Sequence, residues 1–330
     1  MKAKMKTRTD SVLKNQDKNR LIIVGILVLG IIFCYLLVGL NEKNFAYALS
    51  KRVPKLYAML LTGGAIGFSS LLFQTVTHNQ LLTPSILGLD SLYMLVNTMV
   101  VFFLGANSFL ISNKKAHFLL SLVLMMVVAS WFYKMVFKKG QQNIFFLLLI
   151  GLIVGTLFDS LTGFVQILID PVSFQTVQSK MQASFSTVNN DVLILATLMI
   201  GGALVYALPY FKYLDVLALG RETAISLGIH YDQIVKRMLV IVVLLTATAT
   251  ALVGPITFLG LLVVNIGRYM LRSYKHVHLL MMIFLVSMVS VIGAQFLIER
   301  VLNYSMSIGI IINFVGGIYF IYLIIKGRTQ

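Results

Sequence analysis

Leu217-Ala218-Leu219-Gly220-Arg221-Glu222-Thr223-Ala224-Ile225-Ser226-Leu227-Gly228 is a polar island between two long apolar runs, and its reading decides the fold. Gly220 and Gly228 bracket seven residues, roughly two helical turns. Glycine commonly stands just past a helix end, so Gly228 predicts the stop of a short helix. Arg221 and Glu222 open that helix, and Ala224 and Leu227 are expected on one face of it. Two turns cannot cross a bilayer. The apolar face is therefore either tucked against its own chain or offered to a partner.

What flanks the island sets the class. The chain has 330 residues, 58% apolar and 12% charged, with a mean hydropathy of +0.91. A soluble domain carries about 25% charged residues, so this is a polytopic membrane protein. Backbone in lipid must satisfy its own hydrogen bonds, which makes the spans helices and the fold all-α. The single cysteine, Cys34, lies in the first apolar run and excludes both an internal disulfide framework and a thiolate metal site. A formal charge of +16 could suggest nucleic acid, but the cations sit in short loops between apolar runs, where the positive-inside rule puts them. The basic head leads into an uninterrupted apolar run without a cleavage signal, so the first segment is an anchor.

Working outward, residues 1–20 form a disordered, basic, cytoplasmic tail, and 21–330 a permease domain of about ten spans. These are Leu21–Leu40, Leu56–Val76, Ile86–Gly105, Phe118–Phe137, Ile144–Leu168, Val192–Tyr210, Met238–Ile256, a short interrupted Thr257–Met270, Leu279–Ile298 and Met306–Ile325. Between the fifth and sixth, Ile169–Asn190 is an external loop with a short helix. With the tail inside, the inner segments hold nineteen Lys and Arg and the outer ones eight. That bias puts both termini, and the loop 211–237 with the island, in the cytoplasm.

Few residues promise chemistry. There is no G-x-x-x-x-G-K-[ST], H-E-x-x-H or G-x-S-x-G, and the histidines are scattered at span ends, so no enzyme is expected. Asp90 opens the third span, where a carboxylate can meet free helix N–H groups. Asp159 lies inside the fifth, where an acid marks a wet pathway or a bond to a neighbouring helix. It is also the residue an ion-coupled secondary carrier would use. Lys43, Lys51, Arg52 and Lys55 crowd the outer stretch Asn41–Lys55 against only Glu42, and Arg300 lies on the same side. They are either solvated charge beside headgroups or a dock for an acidic partner. Small residues in Thr62–Gly67 and Thr246–Ala251 predict close helix packing.

Four ordered motifs resemble those of the FecCD-type permeases, membrane subunits of bacterial ABC importers for ferric siderophores, haem and vitamin B12. Arg52-Val53-Pro54-Lys55 resembles R-[LVI]-P-R, and Phe73–Leu81 with Pro84 and Leu87-Gly88 resembles L-Q-x-x-x-x-N-P-L and its continuation. The island resembles L-A-L-G-x-x-x-A-x-x-L-G, and Gly254–Leu261 resembles G-P-I-x-F-[VL]-G-L. Gln80 departs from the N-P-L proline, Val264-Asn265 from a common Pro-His, and Met306–Gly309 from L-P-x-G. These departures resemble the branch handling catechol or mixed-ligand siderophores.

The resemblance implies a type II ABC importer permease fold that translocates ferric siderophore, with haem or a corrinoid as alternatives. It implies that Leu217, Ala218, Leu219, Gly220, Arg221, Glu222, Ala224, Leu227 and Gly228 couple to a cytoplasmic ATPase. Arg52, Lys55 and Arg300 would meet an extracytoplasmic siderophore-binding protein. Gln141 and Asn143 fall where the family has its inner gate; Gln74, Asn79 and Asp159 are further pathway candidates. ATP and magnesium would bind the two ATPase subunits, and this chain would hold no cofactor or metal. A second permease chain completes the path, a different one by the departures noted, with a homodimer as the alternative.

Overall fold

The computed structural model describes residues 2–40, 45–106, 108–137, 144–186 and 188–327. Every regular element among them is helical: α1 Lys2–Leu37, α2 Phe45–Thr77, α3 Leu89–Leu104, α4 Phe109–Ser112, α5 Lys114–Phe137, α6 Ile144–Leu168, α7 Pro171–Met181, α8 Asn190–Ala207, α9 Phe211–Leu217, α10 Arg221–Ser226, α11 Tyr231–Val253, α12 Leu259–Met270, α13 His276–Arg300 and α14 Ile308–Gly327. Seven stretches, in α1, α2, α5, α6, α8 with α9, α11 and α13, are long and apolar enough to cross a membrane. The shorter apolar helices α3, α12 and α14 complete the expected set. Two of these begin late because an irregular segment precedes them: a 3-10 turn at Pro84–Leu87 before α3, and the Gly254-Pro255 break before α12.

Helix α2 is the axis of the bundle, packed against α8, α11, α12 and α13. Its small residues make this possible. A Cβ added at Gly63 would sit 3.2 Å from Ser287 Oγ, and one at Gly67 would clash with Ile283 at 2.7 Å. Ser69 accepts a bond from the Thr246 hydroxyl at 3.1 Å, tying α2 to the small-residue face of α11. Small faces let helices approach where no hydrophobic force separates lipid from protein. Gly254, at φ 103°, turns the chain out of α11 while Ala183 packs against it, a site closed to any side chain.

Three boundaries differ most from the sequence reading. Residues 2–20, expected as a tail, continue α1 as helix. Within α1, Asp17 Oδ1 accepts the Arg272 backbone N–H at 3.0 Å, and Arg20 donates to the Met270 carbonyl at 2.6 Å. Helix α2 begins at Phe45, eleven residues before Leu56, so most of the expected outer loop is helical despite Pro54. Proline inside a helix is tolerated where neighbouring groups absorb the lost bond. Helix α11 likewise starts at Tyr231 instead of Met238.

Candidate functional site

At one end of the bundle α9 and α10 form a compact hairpin. Helix α10 closes with a Schellman arrangement: Gly228 N–H donates to Ile225 O at 2.9 Å, and Ile229 N–H to Ala224 O at 3.0 Å. Gly228 stands at φ 78°, the left-handed conformation this cap needs. Arg221 bridges to Asp232 at 3.3 Å, pinning the start of α10 to α11. Ala224 is fully buried, as are Leu214 and Leu217. Leu227, however, does not share its face. Leu227 is 61% and Leu219 62% exposed, with Ile225 exposed beside them. Because Leu227 is the C-cap, outside the helical repeat, it swings outward while Ala224 faces the core. The segment thus does both things the sequence left open: one side packs inward and an apolar side remains open.

The hairpin is wired to the spans through residues the motifs did not mark. Asp215 of α9 accepts the His276 backbone N–H at 2.9 Å and meets its ring Nδ1 at 2.6 Å. The ring's Nε2 lies 3.1 Å from Thr75 Oγ1. One imidazole therefore joins α9, the start of α13 and the end of α2. No spacing in the sequence pairs 215 with 276. Nearby, His78 meets the Tyr231 hydroxyl at 3.3 Å, and burial holds its pKa below the ordinary imidazole value.

The opposite end gathers all three docking candidates. Arg52 donates from one nitrogen to the carbonyls of Tyr35, Leu36 and Val38 at 3.2, 2.6 and 3.0 Å, capping the C-terminal end of α1. Those are carbonyls a helix end leaves without intrahelical partners. Arg300 also donates to Val38 O. Lys55 pairs with Glu299 at 3.3 Å and lies near the Tyr304 ring. Glu299, a residue sequence reasoning passed over, also accepts from Tyr35 and Gln295.

Among the pathway candidates, Asp159 lines a cavity of about 320 Å³ with Asp90, Thr257, Ser307 and Asn313. Asp90 does not cap α3: no side chain caps that helix start, and Asp90 Oδ2 instead accepts the Thr257 hydroxyl at 2.9 Å. Gly88 and Gly155 approach closely here, which sets the start of α3 against α6. Gln74 is buried within α2, its amide nitrogen and oxygen both without partners among the described residues. Asn79 accepts the Leu81 N–H at 2.9 Å in a turn. Gln141 and Asn143 lie outside the described residues.

A bundle of membrane-length helices with half-length helices among them, an open cavity lined by two acids, and an internally bonded hairpin at one end is the architecture of a polytopic membrane protein. The model of the FecCD transport family matches residues 21–326, and the chain belongs to that family. It is 48% identical over 315 residues to the petrobactin import system permease protein YclO of Bacillus subtilis (strain 168), covering 95% of this chain and 98% of that one. It is 24% identical over 302 residues to the petrobactin import system permease protein YclN of the same organism, covering 89% and 90%. In fold it is similar to a solved metal-chelate type ABC transporter in an inward-facing conformation, with a TM-score of 0.81, 20% identity and 94% and 99% coverage. The chain is accordingly a membrane-embedded transport subunit, not an enzyme.

Proposed function

We propose that this chain is the permease subunit of an ABC importer that carries a ferric siderophore of the catechol or mixed-ligand type across the cytoplasmic membrane. The similarity to petrobactin permeases over nearly the whole length carries the substrate class. ATP is hydrolysed on two separate ATPase subunits, whose grooves take the open apolar side of α10. Both termini and the hairpin face the cytoplasm, as the bias of basic residues requires. A substrate-binding protein docks outside, over Arg52, Lys55 and Arg300. A second permease chain completes the path; the resemblance to both YclO and YclN supports a heterodimer of two related but different chains.

Transport is rigid-body switching between outward- and inward-open states, driven by nucleotide binding that differs in free energy between them. The Asp215–His276–Thr75 bridge supports the coupling role, since movement of the hairpin would be passed to α13 and α2 together. Uptake of radio-iron from a panel of chelates, by a strain lacking this chain and complemented with it, tests the reading. Restored uptake of catechol-bearing chelates, dependent on ATP, is expected. Uptake of haem or corrinoid alone, or uptake lost with Asp159→Asn but indifferent to the ATPase, would refute it.

A further inference from the structure

Helix α1 is fastened to the loop between α12 and α13 just where its apolar face begins. Arg20 donates to Met270 O at 2.6 Å, Asp17 accepts the Arg272 N–H at 3.0 Å, and Arg272 Nη1 reaches Gln16 Oε1 at 3.3 Å. From Ile22 onward α1 turns Ile22, Ile23 and Ile26 outward, all exposed. Arg20 and Gln16 precede Ile22 by two and six residues, about 3 and 9 Å of helix rise. The headgroup layer outside the hydrocarbon is about 5–8 Å deep. These bonds therefore hold Arg20 and Arg272 at headgroup depth.

The charge on this rim selects the occupant. Arg272 and Lys275 of the loop are exposed, as is Lys18 on the next face of α1. Arg20 spends one nitrogen on Met270, whereas a guanidinium carries five N–H donors in a fork that fits paired phosphate oxygens. Two acids lie close by and both are engaged: Asp17 is buried beneath the Arg272 backbone, and Asp215, which feels Lys275, is held by His276. Four cations against two acids leave the rim positive. In the sequence, Lys2, Lys4, Lys6, Arg8 and Lys14 against Asp10 extend that excess. Clusters of about four to eight Lys and Arg beside a span attract anionic lipid. Tyr269 and Tyr274, 78% and 94% exposed, add the amphipathic rings that gather at membrane interfaces.

We propose that this rim is a binding site for the phosphate headgroup of an anionic phospholipid, held by Arg20, Arg272 and Lys275 with Tyr269 and Tyr274 at its edge. Such a site is independent of the cargo and requires only that α1 borders lipid.

The test uses the complete transporter, with its partner subunits, in nanodiscs of phosphatidylcholine. Each preparation contains a trace of phosphatidylglycerol or of phosphatidylcholine carrying the same photoreactive diazirine beside the phosphate. After illumination, adducts on residues 269–275 are measured by peptide mass spectrometry and read as the phosphatidylglycerol-over-phosphatidylcholine ratio. Wild type is expected to favour phosphatidylglycerol. Arg272→Gln and Lys275→Gln should each lower the ratio about fivefold, equivalent to ~1 kcal/mol per charge. Both keep their backbone N–H groups, so the bond to Asp17 survives; should one variant fail to assemble, the other decides alone. Lys236→Gln, exposed on α11, removes the same charge elsewhere and should leave the ratio unchanged. Equal adduct yields in wild type overturn the site, as does a ratio that neither loop variant moves. A ratio lowered as much by Lys236→Gln would reduce the effect to net charge and overturns it too. No adduct on the loop would mean that a partner subunit covers the rim, and adducts abolished by inorganic phosphate would assign it to a free anion; either refutes the lipid site.

Discussion

Arg52, Lys55 and Arg300 are each already engaged within the chain. Two guanidinium groups converge on the carbonyls at the end of α1, and the Lys55 ammonium sits on Glu299, whose side chain is only 8% exposed against 20% for Lys55. A docking partner would therefore have to share or exchange these contacts instead of meeting free charge. Removing one member of a shielded pair leaves the other without compensation, which costs more than the pair contributes. Lys55→Met is expected to destabilise by about 1–3 kcal/mol, read as a lowered melting temperature in detergent, and Lys55→Met with Glu299→Gln to recover most of it. If the single and double variants melt alike, the pair is not structural. Arg300 is the exposed member. Arg300→Glu should weaken binding-protein association and flatten its dependence on salt, because rim charges act mainly on encounter. An unaltered salt titration would remove Arg300 from the docking surface.

Within the α9–α10 hairpin, shape and wiring make separable predictions. Gly228→Ala forces a side chain into φ 78° and should cost about 1–2 kcal/mol locally, loosening the cap without touching the open apolar side. Leu219→Asp with Ile225→Asp leaves the Leu227-Gly228 cap in place but charges that side; co-purification of the ATPase should be lost, and its persistence would mean the ATPase seats elsewhere. Asp215→Asn removes the charge that holds His276 and should reduce uptake more than ATP hydrolysis. Equal losses of both would make Asp215 a folding residue and not a link. The hairpin also marks where sequence suffices. Leu227-Gly228-Ile229 encodes a helix stop through one residue's backbone freedom, and Ile144–Leu168 is legible because Asp170-Pro171 follows an apolar run of span length. The start of α2 is hidden, since Lys51, Arg52 and Pro54 look like a loop until Arg52 is seen capping α1. Asp90 next to Thr257, and Asp215 next to His276, are partners 167 and 61 residues apart. No local pattern carries such pairings, because tertiary approach creates them.

Across the whole molecule, the uncovered surface is not all equivalent. Helix α1 exposes Ile23, Ile26, Leu29 and Phe33, a wholly apolar face suited to hydrocarbon. Helices α6 and α14 also expose large apolar residues, among them Leu157, Phe164, Phe314 and Ile318. Between these two helices, though, lies the cavity with Asp159 and Asn313. Carboxylate and amide groups facing lipid are costly, and intramembrane acids turn toward protein or water. The α6–α14 side is thus expected to face the second permease chain, with the path running along the seam, whereas the α1 side faces lipid. A cysteine placed at Leu157 or Phe314 in a Cys34→Ser background and labelled with a thiol-reactive benzophenone should photo-cross-link to the partner permease in native membranes, with the adduct resolved on a denaturing gel. Native Cys34, exposed on α1, should not. Cross-linking through Cys34 with silence at 157 and 314 would reverse the assignment. It would also put the carboxylate-lined cavity against lipid, which the energetics of buried charge forbid, so such a result would equally dismiss the cavity as part of the path.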